Sequence, residues 1–223
     1  MQGLENLRLR LKKACDSAGR EAANVRILAV GKKHPAASIR ELYRSGQVAF
    51  GENQLQEARD KQRELADLGI EWHYIGHIQS NKTRAIAEHF DWVQSVDRIK
   101  VLKRLSSQRP GAYPALNICL QVNIDQEPQK SGLLPEQLDA LAEAASGLPG
   151  IRLRGLMAIP RASDDLLELG DSFRRVREQY ELLCGKGYEL DTLSMGMSSD
   201  LEIAIAEGST MVRVGTDLFG PRS

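Results

Sequence analysis

Cysteine is scarce in this chain of 223 residues, and the three present, Cys15, Cys119 and Cys184, lie far apart with no paired spacing. That argues against a disulfide framework or a zinc site and fits a reducing cytoplasm. Net charge is absent too, since 30 Lys and Arg balance 30 Asp and Glu. With no global field to draw in nucleic acid or an anionic membrane, any anionic ligand must be held by a local site. Long hydrophobic runs are missing. The opening MQGLENLRLRLKKACD is broken by charges, and no later stretch approaches the ~20 apolar residues that span a bilayer. The expectation is a soluble, cytoplasmic protein. Neither a linker nor a low-complexity stretch interrupts residues 1–223, which suits one domain.

What is present is an alternation. Leu4, Leu7, Leu11, Ala14 and Ala18 recur at helical spacing before Gly19, so the chain opens with an amphipathic helix. Eight short apolar runs follow, each but the last leading into a helical pattern: VRILAV (25–30), VAF (48–50), WHYI (72–75), WVQSV (92–96), ALNICLQV (115–122), LRGLMAI (153–159), TLSM (192–195) and MVRV (211–214). Strands apolar on both faces and separated by helices call for a parallel sheet with right-handed crossovers. Eight such units imply an α/β protein closed into a (β/α)8 TIM barrel. The competing layout is an open doubly wound sheet, but no glycine-rich dinucleotide turn follows the first strand. Only GTDLFGPRS follows the eighth strand, leaving no room for its helix, and the N-terminal helix is expected to fill that gap in the outer ring.

A barrel carries its site at the C-terminal ends of the strands, commonly with phosphate held by the loops after strands seven and eight. After strand eight, RVGTDLFG supplies Gly215, where backbone can approach a ligand closely, and Thr216, with a hydroxyl and an N–H at the start of a helical turn. After strand seven, MGMSSD supplies Ser198 and Ser199, which either donate to phosphate or simply cap the helix near Asp200. Together these loops read as a phosphate cup. Lys32 follows strand one and is a candidate imine former, although its neighbour Lys33 competes for that role and a solvated surface charge is the plainer reading. Asn53, in FGENQLQEA, either caps the next helix or meets a ligand oxygen. His77 sits at the mouth after strand three without a second ligand at metal spacing, so no metal is expected. Arg213 alternates inward on strand eight, where a buried guanidinium needs a heteroaromatic nitrogen or a carboxylate, or a structural ion pair within the barrel.

The segments AVGKKHP, FGENQLQEA, WHYIGHIQSNK, QVNIDQEPQKSG, RLRGLMAI and LSMGMSSDLEIAIAEGSTMVRVGTDLFG resemble the YggS/PROSC family of pyridoxal 5′-phosphate (PLP)-binding homeostasis proteins over nearly the whole chain. The resemblance implies a PLP fold-type III barrel, similar to the N-terminal domain of alanine racemase, with PLP held as a Schiff base on Lys32. It further implies phosphate contacts from Ser198, Ser199, Gly215 and Thr216, Arg213 near the pyridine nitrogen and Asn53 close to the cofactor. Lys130 matches a family lysine tied to cofactor handling. One departure is local: the family often has Ser-Lys-Thr where this chain has Gly31, Lys32 and Lys33, which removes a hydroxyl beside the imine and adds a second amine.

An arginine facing the ring nitrogen would leave that nitrogen unprotonated and weaken PLP as an electron sink. A racemase also needs acid/base groups on both cofactor faces, the second usually brought by another domain or subunit. Of the tyrosines only Tyr74 lies within a strand run. The expectation is therefore a monomeric PLP carrier and regulator, with transient apo-enzyme partners rather than a turnover of its own. The rivals are a PLP-dependent amino-acid racemase or lyase and a cofactor-free Schiff-base aldolase.

Overall fold

A computed structural model describes residues 2–220. The chain runs α1 (Gln2–Ser17), β1 (Arg26–Val30), α2 (Ala36–Arg44), β2 (Ala49–Glu52), α3 (Leu55–Glu64), β3 (Glu71–Tyr74), α4 (Thr83–His89), β4 (Trp92–Val96), α5 (Ile99–Gln108) and β5 (Leu116–Val122). It continues through α6 (Leu138–Ser146), β6 (Ile151–Ala158), α7 (Leu166–Gly185), β7 (Thr192–Ser194), α8 (Leu201–Ala206), β8 (Met211–Val214) and α9 (Thr216–Phe219). The strands pair in sequence order, all parallel, and β1 pairs with β8 to close the barrel. The open sheet is thereby excluded.

Most helices show one buried apolar face against the sheet, as α2 does with Ala36, Ile39 and Leu42. The orphan helix sits where the sequence places it. Leu7, Leu11 and Cys15 of α1 pack with Leu201, Ile205, Val212 and Val214, between α8 and the β8 side of the barrel. The chain after β8 is not wholly without a helix, because Thr216–Phe219 forms one turn against the start of α1. Gly3 permits that contact: a Cβ there would fall 2.9 Å from the Asp217 carbonyl.

Strand limits differ from the apolar runs at two places that matter. β2 extends to Glu52, and β6 begins at Ile151 with a register shift against β5 between Ile118 and Cys119. At that irregularity Gly155 has φ +152°, and a Cβ would collide with the Thr192 carbonyl at 1.7 Å, so only glycine lets β6 and β7 meet. The expectation of strands apolar on both faces also fails in the barrel interior. His73 of β3, Gln94 of β4, Ser194 of β7 and Arg213 of β8 are buried and bond in series, and the Ser194–Gln94 bond joins the non-adjacent strands β7 and β4, which only the interior allows.

Candidate functional site

A cavity of about 800 Å³ opens at the C-terminal end of the strands. Lys32, Asn53, Ser198, Ser199, Arg213, Gly215 and Thr216 all line it, contributed by the loops after β1, β2 and β7 and by β8 with its following turn. Residues spread over most of the chain thus converge because parallel strands deliver every β–α loop to one end.

The loop after β1 separates the two candidate lysines. Lys32 lines the cavity, whereas Lys33 is exposed, adopts φ +64° and donates its backbone N–H to Glu57 at 2.6 Å. A buried cluster braces this loop. Lys61 Nζ, on α3, donates to the Gly31 carbonyl, Glu52 Oε1 and Glu57 Oε1, each at 2.7 Å. Main-chain groups on both sides of Lys32 are therefore tied to one ion cluster. Burial raises the Glu52 carboxyl to about 7 despite Lys61 beside it. The same carboxylate accounts for Gly31, since a Cβ there would lie 2.7 Å from Glu52 Oε1 and 3.0 Å from Ile39 Cδ1. A serine at this position would require Glu52 to shift. Beyond the lysines, His34 stacks on Phe219 with ring centroids 4.6 Å apart, joining this loop to the turn after β8.

The capping alternatives are not what the structure adopts. Gln54, not Asn53, occupies the N-cap of α3, and Asp200 occupies that of α8, so Ser198 and Ser199 are not its caps. Asp200 instead accepts from the Met197 N–H and orders the turn that carries both serines. Gly196 enters this turn at φ +94°, where a Cβ would lie 2.6 Å from Ala204 Cβ. Across the cavity, Gly76 lets the loop after β3 run against Asn53, whose carbonyl would sit 2.0 Å from an added Cβ.

Arg213 is 6% exposed at the cavity floor and has neither a carboxylate nor an ion-pair partner in hydrogen-bond contact among the described residues. Its partners are the Ser194 carbonyl at 2.7 Å, Ser194 Oγ at 2.9 Å and the Ala158 carbonyl at 2.8 Å. Burial pushes the guanidinium down to about 10, partly offset by Asp200, so it remains a cation at neutral pH. Two main-chain carbonyls and a hydroxyl meet this charge, and of the alternatives the sequence leaves open the structural ion pair within the barrel is not formed among the described residues. On the far wall, His77 Nδ1 meets Ser131 Oγ at 3.1 Å, and Lys130 donates to the Pro160 carbonyl at 2.9 Å while pairing with Glu127. Tyr74 lies outside the cavity, its hydroxyl on the His77 carbonyl and its ring edge-on to Phe90.

Residues 4–223 match the alanine racemase N-terminal domain family. The chain belongs to that family. Among this family's members, the pyridoxal phosphate homeostasis protein of Pseudomonas aeruginosa is 56% identical over 99% of this chain and 95% of its own length. The protein of the same name from Escherichia coli is 45% identical over 98% and 95%. PipY of Synechococcus elongatus, solved with PLP bound, superposes with a TM-score of 0.83 at 41% identity, over 94% of this chain and all of its own. Alanine racemase of Corynebacterium glutamicum shares the fold alone, at TM-score 0.70 and 16% identity over 98% of this chain and 62% of its own. The relatives named for homeostasis carry no reaction in their names.

Among the described residues no helix is long and apolar enough to cross a membrane, and no group of three or more His, Cys, Asp or Glu is placed to hold a metal. Sequence reasoning missed the Lys61 cluster and the polar residues beneath Arg213. A signal existed for the second set: Glu71 and His73, like Trp92 and Gln94, share the inward parity of a pleated strand.

Proposed function

We propose that this chain binds PLP in the cavity at the barrel mouth and serves PLP homeostasis, carrying the cofactor on Lys32 and passing it to apo-enzymes in the cytoplasm. One observation carries the reading: Lys32, with its amine, Ser198, Ser199 and Thr216, with their hydroxyls, and the buried cation Arg213 are all lining residues of a single cavity. Its volume of about 800 Å³ falls in the range of small-molecule sites, ample for a phosphorylated pyridine ring. The donor set also suits PLP, with an amine for its aldehyde, hydroxyls and the Gly215–Thr216 backbone for its phosphate, and a cation for its ring nitrogen. Asn53 lines the same cavity and is assigned to the ring substituents. PLP bound here supplies an electrophilic aldehyde and an electron-withdrawing ring. The match to a PLP-bound relative at 41% identity supports the same assignment.

A carrier is favoured over an amino-acid racemase because the second face of such a site needs its own proton donor. Among the described residues no tyrosine lines the cavity, and Lys130 is engaged by Pro160 and Glu127. Residues 1–223 are proposed to act as one domain and as a monomer. Racemisation of D- or L-alanine by the PLP-loaded protein would refute the carrier reading.

The first test is the visible spectrum before and after borohydride reduction, followed by peptide mass spectrometry. The expected result is a band near about 420 nm that vanishes on reduction, with a pyridoxyl adduct on Lys32. A colourless protein left unmodified by excess PLP would overturn the assignment. Transfer is tested separately, by whether the loaded protein activates an apo-enzyme faster than an equal concentration of free PLP.

A further inference from the structure

A chain of side-chain hydrogen bonds runs along the barrel interior beneath the cavity. Arg213 Nη1 donates to Ser194 Oγ at 2.9 Å, Ser194 Oγ donates to Gln94 Oε1 at 2.6 Å, and Gln94 Nε2 lies 2.9 Å from His73 Nδ1. His73 Nε2 meets Glu71 Oε1 at 2.7 Å, and Arg26 closes the series on the same carboxylate oxygen at 2.5 Å. The series links the cavity floor to the N-terminal ends of β1 and β3.

The supply of hydrogens gives this series one direction. Arg213 can only donate, so Ser194 Oγ accepts from it and gives its own proton to Gln94 Oε1. The Gln94 amide is then oriented with its N–H groups toward His73 Nδ1 and toward Met211 Sδ at 3.2 Å. His73 must be neutral with its proton on Nε2, where Glu71 accepts it. Turning the amide over would require a proton on Nδ1 as well as Nε2, hence an imidazolium. That charge would be wholly buried, stacked on Trp92 at 5.1 Å, with the guanidinium of Arg154 over the other ring system at 4.6 Å. An unpaired polar atom at this depth is costly, so each partner constrains the next.

We propose that Ser194, Gln94 and His73 are positioning residues that hold the Arg213 guanidinium in the orientation from which it meets the ring nitrogen of PLP. This rests on the reading of the cavity as a PLP site. Barrel interiors are filled mainly by branched apolar side chains. Here a continuous polar series runs among them and ends on the buried cation Arg213 at the cavity floor. Among the described residues, three of the five Arg213 N–H groups are engaged by Ser194 and Ala158, which fixes the plane of the guanidinium.

The test uses full-length protein loaded with PLP labelled with 15N in the ring, together with the variants Ser194→Ala and Gln94→Leu. In the unmodified protein the expected ring signal is that of an unprotonated, hydrogen-bonded nitrogen, and long-range 1H–15N correlation places the His73 proton on Nε2. Each variant is expected to move the ring-nitrogen signal and to raise the dissociation constant for PLP about five- to tenfold, the scale of one hydrogen bond. The melting temperature of the apo-protein reports the purely structural contribution, which would leave the ring nitrogen unmoved. An unchanged ring signal in both variants, or His73 protonated on Nδ1 in the unmodified protein, overturns the proposal while leaving PLP binding intact. If the unmodified protein binds no PLP, it is the reading of the cavity that falls. Should neither variant fold, the His73 tautomer in the unmodified protein decides.

Discussion

Replacing Lys61 with methionine should loosen the loop that presents Lys32, because Lys61 is where that loop, Glu52 and Glu57 meet. The substitution keeps the apolar stem but removes three bonds of 2.7 Å, one of them to the carbonyl of Gly31. It leaves the fully buried Glu52 carboxyl without its donor, while the Gly31 carbonyl keeps the His34 N–H at 3.0 Å. An orphaned acceptor costs about 1–3 kcal/mol and a broken buried ion pair about 3–5 kcal/mol. The second figure is an upper bound here, since Glu52 titrates near 7 even with Lys61 present and escapes by holding a proton. The expected loss is about 2–4 kcal/mol at pH 7, read from urea midpoints by circular dichroism.

The pH dependence has a definite sign. Glu52 has a folded pKa above its ordinary value, so its folded form holds a proton that the unfolded chain has released between 4.5 and about 7. Stability from this group is greatest below that window and falls as pH rises through it, levelling off above about 7 once the folded form ionises. Without Lys61 the carboxyl stays protonated to higher pH, so the decline continues. The penalty of the substitution should therefore be about 1.4 kcal/mol larger at pH 8 than at pH 6. PLP affinity should fall as well, since the tether flanking Lys32 is lost. A penalty under about 0.5 kcal/mol at both pH values, with unchanged PLP affinity, would refute the brace.

Ser198→Ala combined with Ser199→Ala should weaken PLP binding about ten- to a hundredfold, with pyridoxal, which lacks the phosphate, bound as before; equal losses for both ligands would refute the phosphate cup. Gly196→Ala forces a side chain to φ +94° and against Ala204, and should lower the unfolding free energy by about 1–3 kcal/mol, seen as a lower urea midpoint. Lys33→Ala keeps the N–H bonded to Glu57 and should leave the borohydride-trapped adduct on Lys32 unchanged; an adduct that moves or disappears would return the choice between the two lysines to Lys33.

The strands were legible because apolar runs and turn residues are local signals, and β4 and β8 fall where their runs lie. β2 and β6 were misjudged at their ends for a physical reason. Glu52 reads as a polar stop, yet β2 continues through it because Lys61, on the next helix, partners its carboxylate. Arg152 falls outside the apolar run of residues 153–159, although β6 starts at Ile151 and carries Arg152 at the end of the barrel away from the cavity. Within the site, the lysine after β1, the paired loops after β7 and β8, and Arg213 were visible as residue types at expected positions.

The sequence alone determined the order of elements and which loops share the barrel mouth, because parallel strands leave the β–α loops no other end to reach. Choosing between neighbours needed the tertiary structure. Lys32 lines the cavity and Lys33 does not, owing to a backbone turn fixed by Glu57. Likewise, Arg213 is satisfied by carbonyls of β6 and β7, and the series beneath it joins Ser194 to Gln94, 100 residues apart. Such pairings carry no local periodicity. They exist only once the barrel closes and excludes water, which leaves each buried polar group to find its partner across the interior.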